Sequence, residues 1–153
     1  MPEYANADQA LIHRFLAAPQ QPLPIDSNPM AIALGMQLLH VDAAAGVVEL
    51  AFAPDPLFIQ GTGVLQGGAV TAMLDFAMAF ATLAHVPVGH SCATVNLNTA
   101  FLRPAPQGRY IALGEVERLG RALAFTHARL LHAANRQAVA TATSTLALVG
   151  LAR

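Results

Sequence analysis

The stretch GTGVLQGGAVTAMLDFAMAFATLA, residues 61–84, constrains the fold more than any other part of the chain. From Gly67 or Gly68 to about Ala84 it is rich in Ala, Met and Leu, which favours helix, and it is apolar on nearly every face. A helix without a polar side has to be enclosed on several sides, so the rest of the chain must wrap around it. One carboxylate, Asp75, lies in its middle, and no other Asp, Glu, Lys or Arg occurs between Asp55 and Arg103. An ionised Asp in apolar surroundings is costly unless it is paired or hydrogen-bonded. Asp75 is therefore either a buried hydrogen-bonding group at a subunit interface, or a general base or nucleophile kept in a dry cleft.

The segments around this helix read as strands. MAIALGMQLLHVD and GVVELAFAP, joined by AAAG, form a strand pair. After the helix, which HVPVG stops, come four more strands: 91–102, 109–118, 122–133 and 137–149, with RPAPQG, LG and AN as turns. In the last of these, Thr141, Thr143 and Thr145 alternate with Ala140, Ala142 and Ser144, so small residues mark a side against which something packs closely. Ahead of the pair, residues 7–18 have helical spacing, and the Pro-rich APQQPLPIDSNP forms a loop. The chain thus divides into residues 1–29, a helix and loop, and residues 30–153, one domain of order β-β-α-β-β-β-β. A mostly antiparallel sheet curled around one long central helix, of the α+β class, satisfies this order.

At 153 residues the chain is large enough for one core and not for two. It is 55% hydrophobic and only 11% charged. A small monomer cannot hide that much apolar side chain, so a homo-oligomer is expected. The apolar run over 69–84 is shorter than the ~20 residues of a bilayer span and has Asp75 at its centre. The N-terminus lacks a basic region followed by an apolar one. Neither a membrane partner nor a secretory signal is expected. The one cysteine, Cys92, allows no internal disulfide and fits a cytoplasmic location. With no second Cys and six scattered His there is no metal-ligand spacing, and no metal is expected.

Charge is divided along the chain. Residues 1–102 carry seven acidic groups and one Arg, whereas residues 103–153 carry seven Arg and two Glu. Arginine forks suit phosphate, so the basic part either holds a phosphorylated ligand or presents ordinary solvent-facing strand residues. The arginines are spread singly, without the basic clusters and interleaved aromatics of nucleic-acid binding.

The segment before Asp75 weighs toward chemistry. GTGVLQGG is a glycine-rich turn running directly into the helix. Helix N-termini present unpaired N–H groups and the positive end of the helix dipole, and Gly67 and Gly68 let a ligand approach the backbone. A carbonyl oxygen against the Gly67 N–H would be polarised, and an oxyanion forming there stabilised. Acyl transfer needs such a donor together with a base or nucleophile. Gly67 and Asp75 are eight residues apart, about 12 Å along a helix at ~1.5 Å per residue. A general base works within ~3 Å of its proton, directly or through one water. One chain does not easily bring both to one carbonyl. Two such helices antiparallel across a two-fold axis do, with two equivalent sites at a dimer interface.

The stretch GTGVLQGGAVTAMLDFAMAFA, with TVNLNTAFLRPA and ERLGRALAF downstream, resembles the hotdog-fold acyl-CoA thioesterases, in particular the phenylacetate-degradation (PaaI-like) group, over about residues 30–150. The resemblance implies a sheet wrapped around a central helix, paired into dimers and often dimers of dimers. It also implies hydrolysis of acyl-CoA, with coenzyme A as part of the substrate and no separate cofactor. It puts the base or nucleophile on Asp75 and the carbonyl-polarising N–H on Gly67. On Gln60, fifteen residues before the acid, it puts the polar side chain that orients water or acyl group.

Two positions depart from the family pattern. Many relatives have His directly before the two glycines. Gln66 stands there instead, able to donate and accept hydrogen bonds but not to titrate. This leaves it a positioning role and counts against a hotdog dehydratase or hydratase, which usually pairs a His with the acid. A Ser or Thr one turn after the acid, seen in some relatives, is here Ala79, and the hydroxyl of Thr94 on the next strand is a candidate to line the site in its place. By charge and by resemblance, Arg103, Arg118 and Arg121 are candidates for the coenzyme A phosphates. Acyl-carrier-protein thioesters as substrate, and a non-catalytic acyl-CoA-binding or regulatory role, are the other readings. His85 and His90 lack triad partners and read as helix-end or loop residues, and Cys92 as a small buried side chain.

Overall fold

The computed structural model describes residues 4–150; the outermost residues of the two assigned regions, 1–3 and 151–153, lie outside the described residues. Helix α1 (Ala7–Ala17) leads into β1 (Leu23–Pro24), α2 (Pro29–Ala33), β2 (Gln37–Asp42), β3 (Val47–Phe52) and the long α3 (Gly67–His85). Four strands follow: β4 (His90–Phe101), β5 (Tyr110–Leu119), β6 (Leu123–His132) and β7 (Ala138–Gly150). All seven strands join one sheet in the order β1-β2-β3-β5-β6-β7-β4, and every neighbouring pair is antiparallel. The sheet bends around α3, which touches β2 through β7. This is the α+β hotdog architecture that the resemblance implies.

Burial explains the arrangement. Met73, Leu74, Ala77, Met78 and Ala81 of α3 are completely enclosed, facing Leu38, Val48, Leu50, Ala112, Ala124, Leu130, Ala140 and Leu146 from the sheet. Each large side chain enclosed in this way contributes roughly 1.5–3 kcal/mol. By length and apolarity α3 would pass for a membrane span, but most of it is packed inside the domain. Contact is closest at Gly114 of β5, where a Cβ would stand 2.2 Å from the Ala77 carbonyl oxygen, so only glycine fits. The small residues of β7 do face the packed side: Ala140, Ala142 and Ser144 are buried, and Thr143 points outward, exposed.

Two expectations need correction. The strand expected from Met30 begins only at Gln37, because Met30–Ala33 are helical. Asn28 caps that turn, its Oδ1 accepting from the Ala31 N–H at 2.8 Å, and Pro29 supplies a first helical residue that needs no N–H partner. Within the Pro-rich loop, Leu23 and Pro24 add a two-residue strand at the sheet edge beside β2. Helix α3 is enclosed on several sides, as expected, but not on all. Gly68 is exposed, and Thr71, Ala72, Asp75, Phe76 and Ala79 are only half-buried, so one flank reaches the protomer surface.

Candidate active site

Helix α3 starts without a side-chain cap. Gln66 precedes it and makes no capping bond, and among the described residues the N–H groups of Gly67 and Gly68 have no acceptor. The loop before it is tightly folded: the Gln60 N–H donates to the Val64 carbonyl at 2.8 Å, and the Gln66 N–H to that of Phe58 at 2.7 Å. The Leu65 N–H, bonded to the Ala105 carbonyl at 2.8 Å, straps this loop to the segment after β4. Between the two lies a cleft of about 490 Å³, whose walls include Gln60, Thr62, Gly67, Val70, Phe101 and Arg103.

The cleft therefore gathers three of the residues selected from the sequence: Gln60, Gly67 and Arg103. The Gln60 Oε1 accepts from the Thr62 hydroxyl at 2.8 Å and from the Thr62 N–H, which fixes the side chain and leaves its NH₂ as a donor. The ring of Phe101 lies against Gly67, 3.3 Å from where a Cβ would be. At Gly68 a Cβ would meet nothing within 4 Å, so the backbone there is open to a ligand. Arg103 donates from Nη1 to the Ala138 carbonyl at 2.6 Å, which steadies its guanidinium at the rim.

Asp75 is elsewhere. It lies two helical turns along α3, on the half-open flank, and it does not line the cleft. Within the protomer it is only half-buried. The Thr94 hydroxyl of β4 donates to its Oδ1 at 2.9 Å. The neighbouring contacts follow the same seam: the Thr71 hydroxyl donates to Thr99 Oγ1 at 3.2 Å, and the Cys92 thiol points at the Ala79 carbonyl, 3.9 Å away.

A β-bulge makes the Thr94 contact. Thr94 pairs with Leu146 and Asn96 with Thr145, so Val95 is left over and is 60% exposed. Extra residues of this kind reverse which side chains face inward. On one side of Val95, Thr99 and Phe101 face α3; on the other, Thr94 and Cys92 do. Thr94 was identifiable from sequence as a hydroxyl near the acid, but its parity was not. Thr62 and Phe101 were missed altogether, since neither residue type signals chemistry by itself.

The remaining candidates fall outside the cleft. Gln66 is exposed and does not line it. Arg118 and Arg121 are exposed around the β5–β6 turn. That turn lies beside Leu148 of β7, whose own partner on β4 is Cys92, so it is at the Asp75 side of the molecule and away from Arg103. His85 Nδ1 sits 2.8 Å from the Ala43 carbonyl, a helix-end contact. The Cys92 thiol is pushed up to about 12, first by burial and then by the charges of Asp75 and Asp8, which makes it a poor nucleophile. Among the described residues no three His, Cys, Asp or Glu side chains gather as metal ligands.

The family described as "Thioesterase superfamily" matches residues 62–139, which hold Gly67, Asp75, Thr94 and all three candidate arginines. A phenylacetic acid degradation-related protein of Ralstonia eutropha is 34% identical and superposes with a TM-score of 0.77, over 89% of this chain and 98% of that one. A thioesterase family protein of Silicibacter pomeroyi is 28% identical, with a TM-score of 0.75 over 92% of this chain and 98% of that one. The Escherichia coli PaaI protein, from the phenylacetic acid degradation operon, shares the fold at 17% identity, with a TM-score of 0.73 over 95% of this chain and 96% of that one. Among curated proteins none matches the chain.

Proposed function

The chain belongs to the thioesterase superfamily, and on that footing we propose that it hydrolyses acyl-CoA thioesters at sites shared between two subunits. The observation that carries this reading is the division of α3: open N–H donors beside a cleft at Gly67, and a hydroxyl-anchored carboxylate two turns away on an open flank. Each half lacks what the other has. An antiparallel pairing of two α3 helices supplies the missing half to both.

In this mechanism the thioester carbonyl accepts from the Gly67 N–H, with Gly68 clear of side-chain obstruction. The Gln60 NH₂ orients the acyl group or the water, and Gln66 lines the approach. The partner subunit's Asp75, held by that subunit's Thr94, removes a proton from water as it attacks the carbonyl carbon. The resulting oxyanion is stabilised at the helix N-terminus. Its collapse re-forms the carbonyl and breaks the carbon–sulfur bond, releasing coenzyme A thiolate and the free acid. Direct attack by the carboxylate, through a mixed anhydride that water then cleaves, uses the same geometry. Arg103 from the Gly67 side and Arg118 and Arg121 from the Asp75 side then flank one site, suited to the phosphates of coenzyme A. No metal or redox cofactor takes part.

The deciding experiment is hydrolysis of a panel of aliphatic and aromatic acyl-CoAs by wild type and Asp75→Asn, with thermal melting of both. Turnover by wild type, lost in a variant that melts normally, supports the reading and names the acyl class. Tight acyl-CoA binding without turnover by wild type replaces it with a binding protein.

A further inference from the structure

Helix α1 lies outside the residues matched by the family, 62–139, yet it grips the start of β4. Gln9 is completely buried. Its Nε2 donates to the carbonyls of Leu83, at 3.4 Å, and Pro87, at 3.0 Å, and its Oε1 accepts from the Gly89 N–H at 3.2 Å. These groups lie on the last turn of α3 and in the α3–β4 turn, which the His90 N–H closes onto the Pro87 carbonyl at 3.2 Å. Gly89, at φ 87°, fills the third position, where positive φ is required. Just beyond, Asn6 donates from Nδ2 to the Ser91 Oγ at 2.7 Å. On the other side α1 is anchored through Asp8, which accepts from Ser27 and Asn28.

A buried amide is tolerated only when its hydrogen bonds are made, and all those of Gln9 go to the body of the domain around this one turn. The need is local. Within the protomer β4 is an edge strand, paired on one side only, and the bulge at Val95 separates residues 90–94 from the rest of its ladder. Those five residues include Thr94, whose hydroxyl meets Asp75.

We propose that Gln9 is a positioning residue: by clamping the α3–β4 turn it sets where β4 begins along α3, and thereby holds Thr94 against Asp75. The effect on rate rests on the thioesterase reading; the clamp itself does not. A displacement of ~1 Å at a reacting group can cost as much as about 100-fold in rate.

The test compares Gln9→Met, similar in shape but without the amide, with Thr94→Val and the double variant. Amide hydrogen exchange is expected to quicken about tenfold over residues 90–94, and to stay unchanged over 97–101. With acyl-CoA, kcat should fall about tenfold at unchanged KM, and the double variant should be no slower than Thr94→Val alone. Exchange that is unchanged at 90–94, or faster throughout the sheet, overturns the clamp. So do rate losses that multiply in the double variant. Should Gln9→Met fail to fold, Ser91→Ala cuts the neighbouring tie and has to quicken exchange over the same five residues by several-fold. If wild type turns over no acyl-CoA, the thioesterase reading falls, and the exchange pattern alone decides the clamp.

Discussion

The two candidate regions of α3 differ in kind. At its first turn the helix offers backbone donors to an open cleft, with Gln60 and Arg103 alongside and no base in reach. Two turns on, outside that cleft, it offers a carboxylate whose partner, Thr94, is already in place. The first region is made by glycines and a loop, so it is defined by access. The second is made by the edge strand β4 lying along the helix, so it is defined by contact. On the proposed reading a single protomer thus holds two half-sites separated by a length that side chains do not bridge, with the flank between them uncovered.

Breaking the contact region should have the largest effect. Asp75→Asn is expected to lower kcat by about 10³-fold, within the usual range for losing an acid–base group, with little change in melting temperature; retained turnover would remove Asp75 from the chemistry. Next is the demonstration that the two regions act across subunits. Asp75→Asn and Gln60→Ala chains, each nearly inactive alone, should recover about a quarter of wild-type activity when mixed equally, since half the dimers are hybrids with one intact site of two. No recovery despite proven exchange of subunits would put both halves of the site in one chain.

Thr94→Val should cost about tenfold in kcat and leave KM alone, as expected for a group that orients the base rather than binds substrate. For substrate binding, Arg118→Ala and Arg121→Ala should each raise KM several-fold, an effect that weakens as salt is added; unchanged KM would make them plain surface residues. The smallest effect reads the Asp75 charge without substrate. Because Asp75 helps to raise the Cys92 thiol, removing that charge in Asp75→Asn lowers the thiol's pKa and increases the thiolate fraction at pH 8. Alkylation of Cys92 should then be a few-fold faster than in wild type, and still far slower than in the unfolded chain, because burial is the larger cause.

The fold was readable wherever composition or alternation acted over many residues. Helix α3 could be recognised because nineteen residues favour one state, and β4 to β7 because their patterns repeat over ten residues or more. Helix α2 could not, since MAIAL has the apolar content of a strand and owes its helical turn to one Asn cap and one Pro. The candidate site was legible where residue type points to chemistry, in an isolated acid and a pair of glycines at a helix start, whereas Gln60 entered only through the family resemblance. Gln9 was not legible, because a buried amide in an amphipathic segment looks like a surface residue until its three partners, more than seventy positions away in sequence, are seen.

At Val95 the edge strand changes sides, and this bears on how such chains diverge. In an ordinary strand a lost residue shifts the pairing, and substitutions elsewhere restore the pattern. Here the leftover residue is what turns Thr94 toward the acid. Were Val95 paired into the ladder instead of left over, one alternation would run through β4 and swing Thr94 and Cys92 outward, with Ala93 and Val95 facing in. Two homologues with every polar side chain in common would then differ in whether the acid has a partner. Pairing register, rather than residue identity, is the inherited character at this point.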